Sequence, residues 1–143
     1  MKLLKYLYLT VVILMMGCGE DRESITSINN PELVTIAFFN AIYNENNLEK
    51  AASVCSPKLA RILLHYKSSK AVGRHLFNMS YDKVTVTPED SGVKVREQFQ
   101  DAAIIIVYFD GTYFNERIKD VKSVYLVQVN GKWIIEKFLK DPF

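Results

Sequence analysis

Apolar residues recur at helical spacing in the segment that begins at residue 30. Asn30, Pro31 and Glu32 combine a capping side chain, a proline at the first helical position and an acid in the first turn, and together they predict a helix start. The residues that follow form one broad apolar stripe: Leu33, Ile36, Ala37, Phe38, Phe39, Ile42 and Tyr43. A stripe of this width predicts a helix that other elements cover on more than one side.

Two shorter helices are predicted after a cluster of asparagines. Residues 48–55 form the first, with Cys55 on its apolar face. Ser56 and Pro57 repeat the helix-start signal. They precede an amphipathic series spaced i, i+3, i+4, i+7, made of Leu59, Ile62, Leu63 and Tyr66. Residues 68–74, which include Gly73, are predicted to be a break, and residues 75–82 show no clear period.

From Lys83 onward the apolar period becomes that of β-strands. Residues 83–87 alternate, residues 88–92 predict a turn, and residues 93–99 again place apolar side chains on one side. Residues 102–109 are a continuous apolar run rich in Ile and Val, which predicts a strand covered on both faces. Asp110-Gly111 is the turn candidate that follows this run.

Two long strands are predicted at the end of the chain. They span residues 121–129 and 132–139, and Asn130-Gly131 between them is the strongest hairpin signal in the sequence. The order of elements is therefore three N-terminal helices followed by four to six antiparallel strands. This order predicts an α+β fold in which the helices pack on a curved antiparallel sheet.

The first seventeen residues have the layout of a secretory signal peptide. Lys2 and Lys5 form a basic start, residues 6–16 are apolar apart from Thr10, and small Gly17 precedes Cys18. The apolar run is short of the ~20 residues that a membrane-spanning helix needs. The pattern therefore predicts export of the chain.

The run Leu14-Met15-Met16-Gly17-Cys18 resembles the lipobox of bacterial lipoproteins. The resemblance implies that the chain is cleaved between Gly17 and Cys18, and that acyl chains on Cys18 anchor it in a bilayer. It implies localisation in the bacterial cell envelope, with the outer membrane favoured over the inner in a Gram-negative cell because Gly19 follows the cysteine. Two alternatives stay open: an ordinary secretory peptide cut nearby, or an uncleaved short anchor.

Length and charge agree with one lipid-anchored domain. The 143 residues divide into a signal peptide (1–17), a lipidated cysteine with a polar tether (18–30) and one domain (31–143). The net charge of +2 arises from the two lysines of the signal, so the mature chain is balanced. It has no basic stripe with interleaved aromatics, and no nucleic-acid partner is expected.

The order of elements resembles that of the nuclear-transport-factor-two-like, or SnoaL-like, cone domain, as does the last hairpin of the meander, which reads Asn130-Gly131-Lys132-Trp133. The cystatin-like fold is a neighbouring alternative. The resemblance implies a pocket between the first helices and the concave sheet, and an option of homodimers through the sheet. The residues expected to line such a pocket are Phe39, Tyr43, Leu63, Tyr66, Tyr108, Trp133 and Glu136.

The expected function is binding of a small ligand or a partner protein in the envelope, with no catalysis. The alternative is a cone-fold isomerase or dehydratase that uses Glu136 or Glu97 as acid or base. His65 and His75 have no ligand-spaced neighbours, so neither a metal nor a cofactor is expected. Cys55 is expected to be a buried, inert thiol, although a bridge to an unmodified Cys18 is an option.

Overall fold

The computed structural model describes residues 29–89 and 101–140. Over these residues the fold is α+β, as predicted. The elements are α1 (Pro31–Tyr43), α2 (Leu48–Ala52), α3 (Pro57–His65), α4 (Ser69–His75), β1 (Lys83–Pro88), β2 (Ala102–Tyr113), β3 (Glu116–Val129) and β4 (Lys132–Phe138). The predicted signal peptide, Cys18, most of the tether and the stretch 93–99 with Glu97 lie outside the described residues. Within the described ranges, no helix is long and apolar enough to cross a membrane.

Residues 29–89 and 101–140 contain four helices, where the sequence pattern predicts three. The additional helix, α4, occupies the predicted break. The Ser68 side chain caps it by accepting the N–H of Ala71 at 3.2 Å, and Val72 anchors it in the core. Gly73 does not end the helix. It lets the helix pass close to Tyr43, since a β-carbon at this position would lie 3.0 Å from Cε1 of that ring.

The four strands form an antiparallel meander in the order β1-β2-β3-β4. The hairpin predicted at Asn130-Gly131 is confirmed, with φ values of 51° and 76° at the two residues. The turn predicted at Asp110-Gly111 is wrong, because both residues lie within β2 and pair with β1 and β3. The chain instead turns at Phe114-Asn115, where both residues have positive φ.

One face of the sheet, called the inner face, packs on α1. Phe39 is fully buried there, and its ring contacts Phe109 on β2 edge to face at 4.8 Å between centroids. The opposite, outer face carries Ile104 and Tyr108 of β2, which remain 38% and 39% exposed. The prediction that this strand is covered on both faces is therefore wrong. Ile and Val are favoured in any strand, so an unbroken apolar run does not report two buried faces.

Both edges of the sheet have hydrogen-bond partners from outside the sheet. At the β1 edge, the Asn44 side chain donates to the Val84 carbonyl at 3.0 Å and accepts the Val84 N–H at 3.4 Å. At the β4 edge, Ile135 donates its N–H to the Val54 carbonyl, and its own carbonyl accepts the N–H of Ser56, both at 2.8 Å. These contacts join the helical layer to the sheet at two separate points.

Candidate functional site

The residues predicted to line a pocket lie in three different environments. Phe39, Leu63 and Trp133 are buried in the hydrophobic core. Tyr66 is half-buried and stacks on His75, with ring centroids 6.4 Å apart. Four of the seven residues therefore lie in the hydrophobic core or pack against it.

The other three lie at the surface or beside a cleft. Tyr108 is on the outer face and donates its hydroxyl hydrogen to Glu89 at 3.0 Å. Glu136 is exposed on β4, where the pairing with β3 shifts register. Only Tyr43 among the seven lines the cleft described next.

This cleft, here called the Tyr43 cleft, has a volume of about 390 Å³. It lies where the C-terminal end of α1, helix α4 and the β2–β3 hairpin meet. The side chains that matter for its chemistry are Tyr43, Lys70, Arg74, Tyr81, Asp82 and Phe114. A more open depression of about 790 Å³ lies beside it and shares Tyr43 and Asp82.

Two glycines allow the aromatic rings of the cleft to approach the backbone. Gly73 on α4 leaves room for the Tyr43 ring, and Gly111 on β2 leaves room for Tyr81. The rings of Tyr43 and Tyr81 meet edge to face at 5.2 Å between centroids. Tyr81 also stacks on Phe109 at 6.2 Å, which ties this part of the cleft to the core.

The hydroxyl groups of Tyr43 and Tyr81 are shielded from solvent and have no hydrogen-bond partner within residues 29–89 and 101–140. Burial is the main cause that raises the pKa of Tyr43 well above its ordinary value; nearby Tyr81 and Asp120 add to the shift. The pKa of Tyr81 is raised for the same main reason, with Asp120 and Asp110 contributing. Both phenols are protonated at neutral pH, and each carries a hydroxyl hydrogen that no described residue accepts.

Charged side chains of opposite sign line different walls of the Tyr43 cleft. Lys70 and Arg74 are exposed on α4, whereas Asp82 lies just before β1. The Asp82 carboxylate accepts the backbone N–H of Phe114 at 2.8 Å, which holds the β2–β3 hairpin at the rim. Among the described residues, neither of the two cations forms an ion pair with Asp82.

Phe114 presents an aromatic ring at the rim from a strained backbone position. Its φ is 49°, in the left-handed region that a bulky side chain rarely adopts. The side chain is nonetheless 76% exposed, and its ring contacts Tyr113 at 4.4 Å between centroids. An exposed aromatic side chain on a strained backbone contributes little to the stability of the fold. Strained backbone positions concentrate at binding and catalytic sites.

Metal or thiol chemistry finds no support in the part of the chain that the structure describes. No three His, Cys, Asp or Glu side chains there are grouped so that they could hold a metal ion. Cys55 is buried, as predicted, and donates its thiol hydrogen to the Ala51 carbonyl at 3.4 Å. Burial raises the pKa of this thiol, which keeps it protonated and unreactive.

Of the side chains that line the Tyr43 cleft, only Tyr43 itself was expected at a pocket from the sequence. Tyr81 and Asp82 lie in the segment that showed no period, and Lys70 and Arg74 lie in the predicted break. The Ser68 cap followed by Val72 is the signal that could have located α4 and its cations. No family model matches the chain, and neither the curated proteins nor the solved structures contain a match.

Proposed function

We propose that this protein is a lipid-anchored lipoprotein of the bacterial cell envelope whose domain binds a small ligand in the Tyr43 cleft. The observation that carries the proposal is the Tyr43 hydroxyl. Tyr43 is only 9% exposed, lines the cleft, and has a hydroxyl without a partner among the described residues. A buried donor left unpaired costs about 1–3 kcal/mol, a cost that a bound acceptor would offset.

The proposed fold family is the SnoaL-like cone. The α+β order, the antiparallel meander and the Asn130-Gly131 hairpin support this assignment. Binding is favoured over acid–base catalysis because Glu136, one of the two expected bases, is exposed and lines neither depression around Tyr43. The other expected base, Glu97, lies outside the described residues.

The cleft lies at the end of α1 away from the proposed tether. Asn29, the first described residue, contacts Gln128 beside the β3–β4 hairpin at 3.4 Å. Helix α1 then runs 13 residues to Tyr43, a length of about 20 Å. The cleft therefore opens at the opposite end of α1 from Asn29, where the described chain begins.

Tyr43→Phe should increase stability and decrease ligand binding in the same protein. Removal of an unpaired buried hydroxyl should raise the free energy of unfolding by about 1 kcal/mol, and so the Tm by roughly 4 °C. The lost donor should reduce retention of the ligand at least about fivefold, because a hydrogen bond commonly contributes ~1 kcal/mol. Thermal unfolding of the full chain in detergent, with and without its co-purified small molecules, measures the stability change.

The matched control is Tyr66→Phe, which removes a half-buried phenol outside the cleft. Small molecules released from the full chain, purified from its host, would be identified and quantified by mass spectrometry. A molecule retained by wild type and by Tyr66→Phe, but depleted in Tyr43→Phe, supports the proposal. Equal retention by all three proteins, or no retained molecule, contradicts it.

We propose, as a second candidate function, a homodimer formed through the outer face of the sheet. Ile104 and Tyr108 are large apolar side chains exposed on that face. Ile104→Lys should convert a dimer of the detergent-solubilised full chain into a monomer, measured by sedimentation equilibrium. Ile62→Lys is the control, because Ile62 is 42% exposed on α3 and away from the sheet. A wild-type monomer at high protein concentration would exclude this candidate.

A further inference from the structure

The charges around the Tyr43 cleft constrain the ligand that it can accept. Lys70 and Arg74 present positive charge from α4, and Asp82 presents negative charge from the chain before β1. None of the three is paired with another among the described residues. A ligand with a single charge would pair with the charged side chains on one wall only. It would cover the opposite charge on the other wall without pairing it, which is unfavourable.

The uncharged part of the lining combines apolar and aromatic side chains with the polar side chains of Asn46 and Ser80. Ile42 and Met79 are buried, while Tyr113 and Phe114 form the aromatic rim. The volume of about 390 Å³ suits a small ligand.

The buried phenols add hydrogen-bond donors to this arrangement. Tyr43 and Tyr81 both carry hydroxyls that lack a partner in the described part of the chain. A carboxylate or carbonyl oxygen placed between α4 and these rings would face the cations, and it would accept from a phenol once that ring turns its shielded hydroxyl toward the cleft. The negative end of the ligand is thereby assigned to the α4 side.

Resting on the proposed binding function, we infer that the ligand is a small zwitterion with an apolar side chain. Its carboxylate lies toward Lys70 and Arg74, its ammonium lies toward Asp82, and its side chain packs under Phe114. A free amino acid and a dipeptide share this chemistry. They differ in the separation of their two charges, which a binding experiment distinguishes.

The test uses isothermal titration calorimetry on the full chain in detergent micelles at neutral pH. Two probes are zwitterions: L-phenylalanine and the dipeptide L-phenylalanyl-L-phenylalanine. The other two carry one charge each: 3-phenylpropionate lacks the ammonium group, and phenethylamine lacks the carboxylate. We expect one of the two zwitterions to bind at least tenfold more tightly than either singly charged analogue. The inference would be overturned if either singly charged analogue bound as tightly as the tighter-binding zwitterion.

Charge variants locate each end of the ligand. Asp82→Asn keeps an oxygen to accept the Phe114 N–H, and it should weaken zwitterion binding at least fivefold without changing 3-phenylpropionate binding. Lys70→Gln combined with Arg74→Gln should weaken both of these ligands and leave phenethylamine unchanged. Lys58→Gln, an exposed cation on α3, is the control and should change none of them. Variants that affect all probes equally would overturn the assigned orientation.

Failure of this inference can be separated from failure of the binding function. If no zwitterion binds but a co-purified molecule is still lost from Tyr43→Phe, the ligand class is wrong and the cleft remains a binding site. If no probe binds and no molecule co-purifies, both proposals fail.

Discussion

Replacing Gly111 with alanine should destabilise the domain by about 3 kcal/mol or more. A β-carbon at this position would lie 2.5 Å from the Lys83 carbonyl oxygen and 2.6 Å from Cδ1 of Tyr81. The first of these contacts is with backbone, which can move only if the pairing of β1 with β2 is disturbed. The second contact would displace the Tyr81 ring from the Tyr43 cleft.

Thermal and urea unfolding of the full chain in detergent would measure this loss. A loss of 3 kcal/mol corresponds to a Tm decrease of roughly 12 °C in a domain of this size. Gly131→Ala is the matched control. Gly131 has a φ of 76° but no atom within 4 Å of the position of a β-carbon, so only conformational strain of about 1 kcal/mol is expected. Equal Tm values for the two variants would show that the close packing around Gly111 does not limit stability.

Replacing Cys18 with serine should abolish lipidation completely. The proposed lipobox ends at this cysteine, and its thiol is the group that would carry the acyl chains. Serine has no thiol to alkylate, so the precursor should remain uncleaved and should incorporate no radioactive palmitate. Attachment through acyl chains is strong because each buried CH₂ contributes about 0.8 kcal/mol.

The control for this prediction is the second cysteine of the chain. Cys55→Ala removes a thiol that is buried in the core, so palmitate incorporation should equal that of wild type. Labelling and precursor size would be read from the same gel for wild type and both variants. Palmitate on the Cys18→Ser protein would refute the lipoprotein assignment.

Local signals in the sequence predicted the parts of the fold that local physics determines. Asn30 caps α1 by accepting the Glu32 N–H at 2.8 Å, as its position before Pro31 predicts. Asn130-Gly131 forms the hairpin because both residues tolerate positive φ. The α+β class follows from the change of period at Lys83.

The errors arise where a contact distant in sequence decides the local structure. Gly111 is required by the approach of Tyr81 and Lys83, and no feature of its own segment distinguishes this role from a turn. The turn occurs instead at Phe114, whose backbone conformation disfavours its residue type.

The candidate site was only partly predictable for a similar reason. Tyr43 was one of seven residues expected at a pocket from the resemblance to the cone domain, and the other six do not line the cleft. Tyr81 and Asp82 lie in an irregular segment, and only the folded chain brings them against α4. The opposite charges on two walls of the cleft come together only in the tertiary structure. No repeating pattern of residues along the sequence predicts that they do.

The partners at the two sheet edges have a consequence for copies of the domain that the proposed lipid anchor would hold on one bilayer. Anchored molecules share a plane, so an open strand edge would meet identical edges at high local concentration and invite polymerisation. Asn44 occupies the Val84 backbone groups on one side, and the segment around Cys55 occupies Ile135 on the other. Pro88 also lacks the N–H that a further strand would need. The backbone groups of Val84 and Ile135 are therefore closed to pairing with the sheet of a neighbouring copy.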